Sequence, residues 1–204
     1  MKYASLLTFA AFVALISVSQ TQSTSTANAG CSLPLAQAPE IRGIRLGTTS
    51  EQLLTLFPEE VNRLGINEAI QRSKRVDQYG VGRFDLRADS KTVNPRLTEV
   101  NYITVEMIDE RVTSFHISYA GPEWKNIGQF AAKLSEVFGL PDSAAWEQVG
   151  ESQESLKCNG FAVDVYALRG AGENWVRVQD TSAHRLVEDR REAAKEKERQ
   201  TFKP

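Results

Sequence analysis

The chain has 204 residues, with 24 basic against 26 acidic side chains, a net charge of −2 at neutral pH, two cysteines and two histidines. A near-balanced chain of this kind has no basic stripe from which phosphates could release counterions, so nucleic acid is excluded as the expected partner. Its length suits one domain or two tightly joined lobes.

At the amino terminus Lys2 gives a positive start. An apolar run follows from Leu6 to Val18, broken by Thr8 and Ser17, and small residues end at Ala27-Asn28-Ala29. Charge, apolar stretch and small-x-small site in that order read as a secretory signal over residues 1–29. The run is too short for a comfortable membrane span, and no basic stop-transfer flank follows it. Cleavage after Ser19 is the alternative cut. Lipid modification of Cys31 is the alternative fate of the terminus, although Asn28 stands where a lipoprotein signal has an aliphatic residue. The mature chain is thus expected in the periplasm or outside the cell, without an integral membrane segment. An even pair of cysteines usually joins there, here Cys31 to Cys158.

The rest reads as one plan used twice: an α+β chain of two similar helix-plus-antiparallel-sheet lobes, a duplicated module over residues 30–121 and 122–180, followed by a charged helix and tail over residues 181–204. In the first lobe Ile44-Arg45-Leu46 reads as a short strand and Gly47 as a turn. Thr48 with Glu51, and Thr49 with Gln52, both have capping-box spacing. The helix they open carries Leu53, Leu54, Leu56 and Phe57 and is stopped by Pro58. Asn67 and Glu68 start a second helix that runs to about Val76. Residues 88–97 read as an exposed loop. Strands at 100–108 and 112–119 flank Asp109-Glu110-Arg111. A three-residue loop sets Ile108 opposite Val112 and Val105 opposite Phe115. That register gathers Ile103, Val105, Met107, Phe115, Ile117 and Tyr119 on one face, and Tyr102, Thr104, Glu106, Ser114, His116 and Ser118 on the other.

In the second lobe Asn126 and Gln129 cap a helix whose apolar face is Phe130, Leu134 and Phe138 with Ile127 and Val137 beside them. Gly139 closes it, and Pro141 follows. Extended segments follow the helix, as they do in the first lobe. Asn159-Gly160 marks a two-residue hairpin. It turns Leu156, Cys158, Phe161, Val163, Val165, Ala167, Val176 and Val178 to the core. Ser155, Lys157, Asp164, Tyr166, Leu168, Trp175, Arg177 and Gln179 are left on the open side. From Ser182 to Gln200 the alternating charges predict a solvated helix, docked at most through Leu186, Val187 and its alanines.

Neither His116 nor His184 has another ligand at metal spacing, so no metal is expected. No phosphate loop, nucleophile elbow, dinucleotide fingerprint or calcium loop is present, and no cofactor is expected. Gly80-Val81-Gly82 lacks the third glycine of a dinucleotide loop. Glu106, Ser114 and His116 could form a polar cluster, which any mixed strand pair would offer. The remaining candidate is the open sheet face itself: Tyr102, Thr104, Glu106, Ser114, His116, Tyr166, Leu168, Trp175 and Arg177. Tyr, Trp and Arg are the types enriched at binding hot spots.

The run Ile44-Arg45-Leu46-Gly47-Thr48-Thr49-Ser50-Glu51-Gln52-Leu53-Leu54, followed by antiparallel strands, resembles the G-M-T-x-x-(E/Q)-V start of the SmpA/BamE outer-membrane assembly lipoproteins. The doubled helix-plus-sheet plan is similar to the β-lactamase inhibitor protein fold. The resemblance spans mainly residues 44–57, with an echo at 126–141. Thr48 stands for that family's Met, and Leu53 or Leu54 for its Val, while Gly47, Thr49 and Glu51 or Gln52 carry over as turn and cap. The whole chain also resembles exported bacterial proteins that end in a charged helix and Phe202-Lys203-Pro204. The resemblance implies helices on one side of the sheets and protein contact on the other. The expected function is a non-enzymatic, exported module that binds an envelope or secreted protein through the open face. A hydrolase with a site between the lobes, or a protein that binds a small apolar ligand, is the alternative.

Overall fold

The computed structural model describes residues 30–61, 65–73, 79–89, 91–122, 124–168 and 173–201. The expected signal segment, the far end of the second helix at Val76 and the tail from Phe202 lie outside the described residues.

Chain reversal dominates the first turns. Ile41 and Ile44 exchange backbone hydrogen bonds of 2.9 and 3.0 Å across Arg42-Gly43, both of which have positive φ, 58° and 87°. The strand expected at Ile44-Arg45-Leu46 is therefore absent: the chain doubles back over four residues and Ile44 makes a single isolated bridge. Of the two capping boxes, the one at Thr49 forms. Its side chain accepts from the backbone N–H of Gln52, and the Gln52 side chain accepts from that of Thr49. This starts α1 (Ser50–Leu56). Thr48 instead turns inward and accepts from the Arg45 N–H at 3.3 Å. Helix α2 (Ile66–Ser73) follows.

Seven strands make one antiparallel sheet: β1 (Val81–Arg87), β2 (Val100–Ile108), β3 (Arg111–Ala120), β4 (Glu147–Gly150), β5 (Gln153–Lys157), β6 (Phe161–Leu168) and β7 (Glu173–Asp180). Their order is β1-β2-β3-β7-β6-β5-β4. The strands expected in separate lobes share this sheet because β3 and β7, the last strand of each half, pair from Ser114↔Gln179 to Ala120↔Glu173. Helix α3 (Ile127–Phe138) lies between the halves in sequence and α4 (Thr181–Thr201) follows β7 without a loop.

The β2–β3 turn differs from expectation. It has two residues, Asp109 and Glu110, at φ 50° and 63°, the left-handed pair that matches the twist of a tight hairpin. Ile108 thus faces Arg111 and Met107 faces Val112. Such a turn alone would set Phe115 against Thr104 and mix the faces. A bulge at Thr113 inserts one residue and restores Glu106↔Ser114 and Val105↔Phe115. The sorted faces survive, with Ile103, Val105, Met107, Phe115 and Ile117 all buried. The second hairpin pairs Leu156 with Val163 as expected, and Leu156, Phe161, Val163, Val165, Val176 and Val178 are fully buried.

Helices α1, α2 and α3 contribute Leu53, Ile66, Ile70, Ile127, Phe130 and Leu134 to the same core cluster as these strand residues. Helix α3 is capped by Asn126, which accepts from the Gln129 N–H at 3.0 Å, and ends at Gly139 with φ 64°. Val137 leaves the apolar face and is 59% exposed.

The loop expected at residues 88–97 is largely exposed, at Asp89, Lys91, Val93, Pro95 and Arg96, but it is anchored from within. Asn94 and Leu97 are buried. Glu60, itself buried, accepts from the backbone N–H groups of Val93 and Asn94 at 2.6 and 3.0 Å, and the Asn94 amide donates to Leu56 O at 3.0 Å. A carboxylate holding two amide donors fixes the loop against the end of α1.

Cys31 and Cys158 form a disulfide. It sits beside a bridge between Pro34 and Asn159 and ties the amino-terminal segment to the β5–β6 turn. Among the described residues no helix is long and apolar enough to cross a membrane. Helix α4 is solvated as its charges demand, with only Ala183 buried and Leu186 42% exposed.

Candidate functional site

The open face can be read as rows running across the strands, because every pairing register is fixed. One row is Arg87, Tyr102, Ser118, Trp175, Tyr166 and Gln153. The next is Asp85, Thr104, His116, Arg177, Asp164 and Ser155. The third is Arg83, Glu106, Ser114, Gln179, Ala162 and Lys157. Alternation along each strand puts all of these on the side away from α1, α2 and α3.

The aromatic members touch. Ring centroids lie 5.5 Å apart for Tyr102 and His116, 4.7 Å for His116 and Trp175 and 5.8 Å for Trp175 and Tyr166. Edge-on and tilted stacking at these distances is the preferred geometry for aromatic pairs. All four rings are half-buried, so the strip is ordered by its own members and still meets solvent. Gln153 donates to the Tyr166 hydroxyl at 3.1 Å. Thr104 donates to Asp85, and Arg177 Nε donates to Ser114 Oγ at 3.3 Å. Leu168 keeps its register place opposite Glu173, and its side chain lies outside the described residues.

The Glu106–Ser114–His116 cluster does not assemble as a catalytic group. Ser114 is engaged by Arg177, and His116 Nε2 is buried without a hydrogen-bond partner, as is Trp175 Nε1. His116 Nε2 thus makes no hydrogen bond to the Ser114 hydroxyl in this arrangement. Among the described residues no group of three or more His, Cys, Asp or Glu is placed to hold a metal ion.

Burial holds His116 neutral. Its pKa falls from 6.5 to about 4, first through desolvation and then through the charges of Arg177 and Arg83, with Asp85 opposing. Burial also raises the Tyr102 and Tyr166 hydroxyls above their ordinary value of 10.0, so both remain protonated donors. The unfolded chain takes up a proton at His116 near pH 6.5, whereas the folded protein resists it down to about pH 4. Stability is therefore expected to fall as pH drops through that window and to be flat with respect to His116 above it. Urea unfolding of wild type and His116→Phe, compared near neutrality and at about pH 5, checks this: the wild type should lose more stability on acidification than the variant. Equal losses would contradict the assignment.

Two grooves flank the start of α4. One, of about 160 Å3, lies between Glu106, Ser114, Arg177 and Gln179 of the sheet and Ala183, His184, Val187 and Arg191 of the helix. The other, of about 590 Å3 and half-open, is lined chiefly by Leu35, Leu46, Ile108, Val112, Ala183 and Leu186.

Sequence reasoning left out the contribution of β1. Arg83, Asp85 and Arg87 complete the three rows. Arg83 pairs with Asp85 at 3.4 Å and with Glu106 at 3.8 Å. The strict alternation Arg83-Phe84-Asp85-Leu86-Arg87 was the available signal. No family model, curated protein or solved structure matches this chain.

Proposed function

We propose that the chain is an exported, non-enzymatic module that binds a protein of the bacterial envelope or its surroundings through the open sheet face. The observation that carries this is the continuous ring strip Tyr102–His116–Trp175–Tyr166 on the side of the sheet that α1, α2 and α3 leave free. Rigid aromatic rings offer contact area at little conformational cost, and Arg177 and the surrounding hydroxyls can hydrogen-bond at its rim. The Cys31–Cys158 disulfide supports a working place outside the reducing cytosol.

A photo-crosslinking residue at Tyr166, compared with one at the exposed helix position Val137, tests the reading in the native envelope. Crosslinks to a distinct protein from Tyr166 and not from Val137 are expected. Crosslinks from Val137 alone would overturn it. The second reading, a site for a small apolar ligand, is favoured by the half-open groove of about 590 Å3 beside Leu186, a volume in the range of ligand sites.

A further inference from the structure

Helix α4 has no apolar stripe to fix it. Only Ala183 is buried in it. The contact of His184 with Glu188, 3.2 Å, and the ion pair Glu196–Arg199, 3.1 Å, stay within the helix. A helix this polar is not held on a sheet by the hydrophobic effect. Two polar attachments hold it instead. At its start Asp180 Oδ1 accepts from the N–H groups of Ser182 and Ala183 at 2.8 and 3.3 Å, and the Thr181 N–H donates to Gly160 O at 3.1 Å. Nearly three turns further along, the Arg190 guanidinium forks onto Asp109 at 2.7 and 3.2 Å and donates to Tyr79 O at 2.8 Å. Arg191 lies over the Tyr79 ring, 5.4 Å from its centroid.

The receiving surface is shaped for the fork. Asp109 occupies the first position of the β2–β3 turn. At Gly80, with φ 81°, a Cβ would collide with the Arg190 guanidinium and stand 2.9 Å from Asp109 Oδ1. Arg190 also holds the Asp109 carboxyl below its ordinary range. Between the two attachments α4 walls the groove over Glu106, Ser114 and Arg177.

We propose that α4 is a strap, latched by Arg190 on the β2–β3 turn, which covers the Glu106–Ser114–Arg177 end of the open face and uncovers it when the latch opens. Its regulatory meaning rests on the reading of that face as a contact surface; the opening itself does not. The latch side chains are 31% and 64% exposed, so salt screens their attraction. Beyond the first turn, α4 then has no buried side chain to keep it in place, and a solvated helix of this length is marginal by itself. The strap therefore opens locally while the sheet stays folded.

Hydrogen exchange on the whole mature chain tests this without any partner. In Arg190→Ala and in Asp109→Asn, amides of residues 184–201 should exchange at least about tenfold faster than in wild type, with β6 and β7 unchanged. High salt should move wild type toward the variants. A cysteine at Glu106→Cys should react with a maleimide several times faster when Arg190→Ala is added, while one at Arg87→Cys, on the same face away from α4, should not. Unchanged α4 exchange in Arg190→Ala, equal loosening of the sheet, or unaltered labelling of Glu106→Cys would each overturn the strap. A face that captures nothing while these rates change would sink the contact reading and leave the strap standing.

Discussion

Replacing Cys31 and Cys158 together with serine is expected to lower stability by about 3–5 kcal/mol. The bond closes a loop with a sequence separation of 127, and the chain-entropy estimate for a loop of that length is about 5 kcal/mol. The structural consequence is local as well. Without the bond, Leu33–Pro34 keeps the Asn159 N–H on Leu33 O, 3.0 Å, an isolated bridge at Pro34 and the packing of Leu33 against the core. For a chain of this size the loss corresponds to a melting temperature lower by roughly 6–20 °C. Thermal unfolding with and without a reductant checks it. Wild type should fall to the level of the double variant when reduced, and the variant should not respond. A variant as stable as oxidised wild type would contradict the account, and would remove the disulfide as support for an oxidising working place.

Phe115→Ala is expected to cost about 3–5 kcal/mol. Phe115 is 1% exposed and sits in the interior strand β3, opposite Val105 on β2 and Val178 on β7. Its ring fills the junction between the two halves of the sheet, where neither side can collapse into the space without moving a paired strand. The urea midpoint should drop with the slope unchanged. The neighbouring position gives the contrast. His116 points to the opposite face, and His116→Phe at neutral pH should leave the midpoint nearly where it was. If Phe115→Ala were as mild, the sorting of faces on which the site depends would be wrong.

That sorting was legible in the sequence although the turn between the strands was not. Alternation identified Val105 and Phe115 as a buried pair by choosing the register that sorts the faces, since a two-residue turn by itself would set Phe115 against Thr104. A two-residue turn and a bulge at Thr113 arrive at the same pairing that a three-residue loop would give. Local pattern does not distinguish these solutions, because Met107 and Val112 on the turn side of the bulge are buried as Val105 and Phe115 are beyond it. The caps at Thr49, Asn126 and Gly139 were legible because a cap is a contact over three or four residues. The Glu60 clasp on Val93 and Asn94 spans more than thirty residues, and the fusion of both halves through β3 and β7 is a long-range choice of neighbour. Neither leaves a local trace. Of the candidate face, the residues on β2, β3, β6 and β7 fall where the alternation put them, and the contact of their rings follows from register. The polar face was preferred to a trio at His116, and the pairing of β3 with β7 adds what local pattern lacks: Arg177 donates to the Ser114 hydroxyl.

The most direct test of the contact surface is a comparison of partner capture with stability in Trp175→Ala and Tyr166→Ala, using the protein crosslinked through position 166 as the ligand and Val137→Ala as control. Each ring variant should remain folded with a cooperative urea transition and bind at least about thirtyfold more weakly, the loss typical of a hot-spot truncation. Ring variants that fold and bind like wild type and the control would contradict it.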